Sequence, residues 1–509
     1  MGGGNFWLVA AQALVKIAYI AAGAAGMYCG SCLHDNTLAA AMLELGEDVI
    51  LVPTYTPLRT DGKNVGIERV FMGGVNAYLL QTSRLFRLMP RWLSGLLDRP
   101  GFLNYVTRGA ASVDPAKLGG MTVSMLQGEL GNQATQLDEL VDWLIDDVRP
   151  DVVHLSNSML IGMARRISER GGPPVVCALS GEDIFLEALK PPHYEQAREL
   201  LRERAAEVAA FTALNNYYAD FMADYLSVDR GKVHVIPHGL NLADYPKPRS
   251  GVQAPPPRQG EGLGEGVDVK RQESAPVPVN SPAENAPAQA HAVEGDAPPS
   301  PNPSLEGRGT EGHPLTVGYL ARVCPEKGLH LLVEACTHLA ASRPDLDFTL
   351  KAAGYLGEGD RRYLEKLQAE VAQGPLAERF EYLGELDRPQ KLAFLHSLDV
   401  FSTPTVYRES KGLPAIEALA HGVPLVLPEH GSFPEFVEHT GGGLLFPPGD
   451  ANALAAQIAR LLTERAYAQQ LADAGHGVVH DHYHDERMAR ETVAVYQKLT
   501  ANNSPNQSA

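Results

Sequence analysis

Twice along this chain, short apolar runs alternate with stretches of helical periodicity, and one aromatic-free segment separates the two series. In the first series, strands are expected at residues 16–21, 48–53, 152–155, 175–179, 210–214 and 233–236. Helical spacing of apolar residues fits 36–45, 136–147, 160–169, 195–209 and 217–226. The second series repeats the pattern, with strands at 315–319, 347–353, 380–383, 400–402 and 425–427. Its helices fit 328–341, 360–370, 390–397, 414–421 and 451–462. Strands this short and apolar are buried on both faces, which calls for parallel sheets covered by helices. The expected fold is α/β, with two doubly wound Rossmann-like domains facing a cleft. Ligands in such sheets bind beyond the carboxyl ends of the strands, so a site is expected between the domains.

The separating segment, residues 250–314, has no Phe, Tyr or Trp and is rich in Pro, Gly and Ala. It buries too little apolar surface to offset its ordering entropy and is expected to be disordered. Its flanks, "KVHVIPHGLNLADYP" and "LTVGYLARVCPEKG", both have the look of structured chain.

Charge and cysteine content narrow the function classes. Asp and Glu total 61 against 43 Lys and Arg, a formal net charge of −18, which argues against binding a nucleic-acid backbone. Five cysteines in 509 residues do not make a disulfide scaffold, and a reducing cytoplasm is the expected compartment. The apolar run "FWLVAAQALVKIAYIAAGAAG" at residues 6–26 is interrupted by Gln12 and Lys16, and no basic residue precedes it. It is expected to be a buried strand entering a glycine loop, after residues 1–14, which are expected to be a disordered N-terminal extension or an artefact of the chosen start codon.

"YRESKGLPAIEALAHGVPLV", residues 407–426, holds the densest chemistry. Pro414 suits the first turn of a helix. Gly412 lets the backbone approach a ligand. The helix N-terminus offers unpaired N–H groups and partial positive charge to a phosphate. Glu409 precedes that helix and Glu417 lies in it, so the two carboxylates can meet different parts of one extended ligand. Either carboxylate suits sugar hydroxyls. Taken alone, two Glu at this spacing are more often a surface loop and a helix salt bridge. "GYLARVCPEKGLHLLVEA", residues 318–335, adds Arg322 and Lys327 between a strand and a helix, where a diphosphate is doubly favoured.

These motifs and their order resemble glycosyltransferase family 4, whose members have the GT-B architecture. The series runs "RPDVVHL", "KVHVIPHGLNLADY", "ARVCPEKG", "FEYLGEL", "DVFSTPT", the Glu409/Glu417 pair in an E-x7-E pattern, and "GGGLLFPPGDANALA". The resemblance implies that Arg322 and Lys327 hold the diphosphate of a nucleotide sugar, Glu417 the ribose, and Glu409 the donor sugar. Gly384 is implied near the base, and Gly412, Leu413 and Lys411 at the donor. Arg322, Lys327 and Glu409 are the implied catalytic group. Gly26, Ser180 and Asp183 are the candidates for the acceptor side of the cleft. The implied reaction retains anomeric configuration and needs no protein nucleophile, metal or other cofactor. The acceptor is a hydroxyl on a glycan or a lipid-linked molecule.

The resemblance also orders the chain into domains. An N-terminal acceptor-side domain is expected over 15–245 and an insertion over 246–314. A nucleotide-sugar domain follows over 315–480, then a helix over 481–500 that packs back on the first domain, and a tail over 501–509. Two departures stand out. Ser180, in "SGED", occupies a position where relatives carry a histidine. Lys411 stands where phenylalanine is frequent, and either adds charge to the phosphate pocket or faces solvent.

Three readings stay open beside this one: a phosphorylase, a sugar-nucleotide epimerase, and a silent nucleotide-sugar-binding protein, the last suggested by Ser180. The first βα loop, "AAGAAGMYCGSCLHDN", lacks a strict G-x-G-x-x-G, so it does not argue for a dinucleotide. Its Cys29 and Cys32 are read as cleft-lining or structural, with a redox pair or a zinc site as alternatives; zinc would need two further ligands. Residues 83–108 mix five arginines with Phe, Trp, Tyr and Leu. This stretch suits peripheral contact with an anionic membrane, an acceptor wall, or amphipathic packing.

Overall fold

The computed structural model describes residues 14–23, 30–72, 115–247 and 315–503. Gly26, Cys29, residues 83–108 and the segment from 250 to 314 lie outside the described residues. The first half contains β1 (Lys16–Ala21), α1 (Gly30–Glu44), β2 (Asp48–Pro53), α2 (Pro115–Gln127), α3 (Ala134–Trp143) and β3 (Val152–Leu155). It continues through α4 (Met163–Glu169), β4 (Val175–Leu179), α5 (Asp183–Glu187), α6 (His193–Ala205), β5 (Ala210–Ala213), α7 (Asn216–Leu226) and β6 (Val233–Val235). The second half opens with β7 (Leu315–Leu320), α8 (Leu329–Ser342), β8 (Phe348–Ala353), α9 (Arg361–Val371), β9 (Phe380–Tyr382) and α10 (Arg388–His396). Then come β10 (Val400–Phe401), α11 (Leu413–Ala420), β11 (Leu425–Pro428), α12 (Phe433–Thr440) and β12 (Gly443–Phe446). Three helices close the chain: α13 (Ala451–Thr463), α14 (Arg465–His482) and α15 (Asp485–Asn503).

Each half forms a six-stranded sheet, in the order β2-β1-β3-β4-β5-β6 and β12-β11-β10-β7-β8-β9. Every paired strand is parallel to its neighbour. The reason is visible in burial. All five residues of β4 are buried, as are five of the six in β1, so each central strand needs cover on both faces. The fold is therefore two doubly wound α/β domains. In the second sheet the strand order reverses between β7 and β10, and the loops leaving both strands open onto the same crevice.

Five elements depart from the expected pattern, the five-residue helix α5 among them. The strand β12 was not anticipated: it is an edge strand, and only Phe446 of its four residues is fully buried, so its apolar signal is short. Helix α2 carries two adjacent glycines, Gly119 and Gly120, which weaken helical propensity. Packing explains Gly119, because a Cβ there would lie 2.6 Å from the His193 ring of α6. Helices α12 and α14 were also missed. The second carries Gly475, Gly477 and several histidines in place of a clean apolar stripe.

Helix α15 lies on the first domain. Met488, Ala489, Val493 and Tyr496 share a buried cluster with Ile17 and Tyr19 of β1 and Leu38 and Met42 of α1. The Tyr496 hydroxyl shares a 2.5 Å hydrogen bond with His154 Nδ1 of β3, and the His154 ring stacks on Tyr19 at 4.4 Å. At the crossover, Leu240 N donates to Tyr483 O at 2.7 Å and Asp485 N to Leu240 O at 3.0 Å. Among the described residues, no helix is long and apolar enough to cross a membrane.

Candidate functional site

The loop after β7 brings Arg322 and Lys327 to the crevice, and the loop after β10 brings Glu409. Lys327 ends a short 3-10 turn, Pro325–Lys327, just before α8. Its ammonium lies 2.7 Å from Glu409 Oε2 and also bonds the Tyr407 hydroxyl. Tyr407 donates to the same Oε2 at 2.8 Å. The other oxygen, Oε1, accepts the backbone N–H groups of Ser410 and Lys411, each at 3.2 Å. Glu409 is only 7% exposed, and burial alone would raise its pKa. The Lys327 charge and the hydrogen bonds outweigh burial and hold Glu409 down at about 2. Arg322 is the more available cation: its side chain is 50% exposed, and Glu326 stands 3.9 Å away.

Helix α11 starts at Leu413 with Pro414 in its first turn, and Gly412 caps it at φ +66°. That left-handed backbone favours glycine, and a Cβ there would lie 3.3 Å from the Phe433 ring. One turn into the helix, Glu417 meets a second lysine and a second tyrosine. Its Oε1 accepts Lys391 Nζ at 2.6 Å and the Tyr245 hydroxyl at 3.3 Å. The two carboxylates of the E-x7-E pair thus each have their own Lys–Tyr partners. The Glu417 set is the more buried, with Glu417 and Tyr245 both at 5% exposure and Lys391 at 9%. Gly384 follows β9, and its carbonyl accepts Gly354 N at 2.8 Å.

The first domain faces this edge. Lys411, expected in the phosphate pocket or in solvent, instead reaches across the cleft, and its ammonium donates to Ser31 Oγ of α1 at 2.6 Å. Asn215 Nδ2 donates to Ser410 O at 2.7 Å. Glu435 of α12 accepts the N–H groups of Asn216 and Tyr217 at 2.9 Å each, a carboxylate at the positive end of α7. Ser180 and Asp183 lie beside Lys411 and Glu409. Ser180 N donates to Glu182 Oε2 at 2.8 Å, and the Tyr218 hydroxyl donates to Asp183 Oδ1 at 2.7 Å. Burial raises the Asp183 pKa, the Tyr218 hydrogen bond opposes this, and the nearby Glu409 charge adds to the rise.

Several residues here carried no signal that single-sequence reading used. A small cavity is lined by Ser31, His34, Ser180 and Lys411. His34 packs edge-on against His238 at 4.7 Å, so imidazoles do stand near Ser180, supplied by α1 and the "IPHG" run. His238 Nε2 is buried without a hydrogen-bond partner among the described residues. Burial lowers the His238 pKa to about 4. A larger cavity of about 360 Å³ opens between the domains beside Asn215, His238, Lys411, Gly412 and Phe433. The sequence also holds an Asp-x-Asp triplet, Asp345–Leu346–Asp347. It precedes β8, at the amino ends of the strands and away from the cleft, with Asp345 paired to Arg343 at 2.8 Å. Among the described residues, no group of three or more His, Cys, Asp or Glu side chains is placed to hold a metal ion.

Two family models match along the chain. Residues 36–239 match the glycosyl transferase 4-like domain, and residues 306–477 match glycosyl transferases group 1. The chain belongs to the glycosyltransferase family 4 type, with the GT-B architecture. This family 4 chain is 28% identical over 201 residues to the amylovoran biosynthesis glycosyltransferase AmsK of Erwinia amylovora, covering 38% of this chain and 48% of that protein. It is 29% identical over 190 residues to the phosphatidyl-myo-inositol mannosyltransferase of Mycobacterium leprae, covering 37% and 48%. The chain spans about half the length of these curated relatives. Among solved structures, sucrose-phosphate synthase from Thermosynechococcus elongatus superposes with a TM-score of 0.62 at 16% identity, over 96% of this chain and 100% of that one. Anabaena Alr3699/HepE in complex with UDP-glucose superposes with a TM-score of 0.57 at 14% identity, over 95% and 100%. At those identities the superpositions speak for the fold.

Proposed function

We propose that this protein is a retaining glycosyltransferase. It moves a sugar from a nucleotide-diphosphate donor to a hydroxyl on a glycan or lipid-linked acceptor, without a metal or other cofactor. One observation carries the reading: Arg322, the Lys327–Glu409 pair and the start of α11 converge where the strand order of the second sheet reverses. The names of the curated relatives support glycosyl transfer, and the UDP-glucose complex of the Anabaena protein supports a nucleotide-sugar donor.

The chemistry follows from charge. As the glycosidic bond breaks, negative charge grows on the departing diphosphate, and fixed cations beside a helix N-terminus lower that barrier. Lys327 is already oriented by Glu409 and Tyr407, so little reorganisation is needed when the donor arrives. With its pKa near 2, Glu409 stays ionised at neutral pH and serves as a hydrogen-bond acceptor for sugar hydroxyls, not as an acid. The acceptor oxygen bonds the anomeric carbon on the face the diphosphate leaves, and the acceptor proton passes to a phosphate oxygen. We place the protein in the cytoplasm, with residues 83–108 as its contact with the inner membrane face; flotation with anionic vesicles checks this.

The deciding experiment is a thermal-shift panel of UDP-, GDP- and ADP-sugars on wild type and an Arg322→Ala/Lys327→Ala double variant. A ligand that binds the native state raises its melting temperature by mass action. A shift with one nucleotide class that disappears in the double variant is expected. No shift with any of them overturns the donor assignment.

A further inference from the structure

The loop after β2 belongs to the first domain, yet its charged side chains close on the second. Asp61 Oδ2 accepts Lys391 Nζ at 2.6 Å, and the same ammonium lies 2.6 Å from Glu417 Oε1. Arg388 stands 3.8 Å from Asp61, and its guanidinium also donates to Asp244 at 3.1 Å. Two residues earlier, Arg59 lies 3.5 Å from Glu385, the neighbour of Gly384. This loop therefore grips the second domain at two places: beside Gly384, and beside Glu417.

One ammonium shared between two carboxylates has a chemical consequence. Lys391 carries three donors and a single charge. With the domains apart, Asp61 would be withdrawn, and Lys391 would face Glu417 alone as a neutralised pair. With the domains together, Lys391 divides its charge between Asp61 and Glu417, and the three carboxylates Asp61, Glu417 and Asp244 outnumber the two cations Lys391 and Arg388. Glu417 then has more capacity to accept hydrogen bonds from hydroxyl groups. Buried side chains make this exchange matter, because water does not screen it.

We propose that Asp61 is a positioning residue for nucleotide binding: through Lys391 it orients and frees Glu417, and so couples ribose recognition to closure of the first domain over the second. The proposal rests on the donor reading above. It assigns to the β2 loop a role at the nucleotide end of the cleft, apart from Arg322, Lys327 and Glu409.

The test is calorimetric titration of the full chain with UDP, GDP and ADP. The proteins are wild type, Asp61→Asn, Asp61→Glu, Lys391→Met, and the Asp61→Asn/Lys391→Met double variant. The nucleotide that binds wild type is expected to bind Asp61→Asn about tenfold more weakly, within the usual range of coupling between sites. Asp61→Glu is expected to recover most of that loss, and the double variant to bind no more weakly than Lys391→Met. Unchanged affinity in Asp61→Asn, or additive losses in the double variant, would overturn the relay while the donor reading stands. Absence of binding to wild type by all three nucleotides would overturn both. Should Lys391→Met fail to fold, the Asp61→Asn and Asp61→Glu comparison decides the matter by itself, because Asp61 is reached from a loop.

Discussion

At the scale of single residues, the two glutamates of the E-x7-E pair separate into two jobs. Glu409 sits among Lys327, Tyr407 and two backbone N–H groups, facing the position where the donor sugar is proposed to lie. Glu409→Ala is expected to lower kcat by about 100-fold, the scale of a lost transition-state contact, with nucleotide affinity nearly kept. Glu417→Ala is expected to weaken nucleotide binding instead, and to cost roughly 2 kcal/mol of stability, since Lys391 and Tyr245 lose a charged acceptor. Calorimetry beside steady-state kinetics separates the two, and equal behaviour of both variants contradicts the assignment. The pH dependence has a definite sign. The Glu409 pKa is lowered from 4.5 to about 2, so its contribution to stability is complete above pH 4.5 and is lost only as the pH falls toward 2. The acid limb of the rate profile is therefore expected to carry no titration of Glu409 between pH 5 and 7.

At the scale of elements, α15 is the piece whose docking is most exposed to test. Its Tyr496 hydroxyl meets His154 Nδ1, and His154 Nε2 is buried without a partner among the described residues. Tyr496→Phe leaves both imidazole nitrogens unpaired and is expected to cost about 1–3 kcal/mol in denaturant unfolding. Burial lowers the His154 pKa from 6.5 to about 3, and that of His238 to about 4. The folded state then holds both rings neutral, while the unfolded chain takes up protons below pH 6.5. Stability must fall as the pH drops from 6.5 toward 4, by about 1.4 kcal/mol per pH unit for each histidine. His154→Gln is expected to reduce that slope by about one proton; an unchanged slope across pH 7, 6 and 5 would refute the attribution.

At the scale of the whole molecule, polar contacts cross the cleft, Lys411 to Ser31, Asn215 to Ser410, Glu435 to the start of α7 and Asp61 to Lys391, beside the apolar docking of α15 on the first domain. None of the motifs quoted for the family resemblance falls in the segment between the two sequence series. Deleting residues 251–312 is expected to leave the melting temperature and the nucleotide response within experimental error, since loop-closure entropy changes slowly with length. Loss of the nucleotide response in a protein that still melts cooperatively would show that the segment takes part in binding.

The alternation of buried strands and amphipathic helices was enough to place two parallel α/β domains, because burial on both faces leaves an apolar run that needs no partner to be recognised. The order of the motifs around Arg322, Lys327, Glu409 and Glu417 likewise lies in local chain, where a strand end, a glycine and a helix start are neighbours. Other elements were illegible for physical reasons. Edge burial shortens the signal of β12, and the glycines of α2 hide a helix that packing requires. The partners of the site residues were illegible for another reason: Lys391 belongs with Asp61 across 330 positions of sequence, and Lys411 with Ser31 across 380. No local propensity encodes such pairs. Closure of one domain on the other creates them, whereas the fold of the second domain by itself gives Lys327 to Glu409 and Lys391 to Glu417.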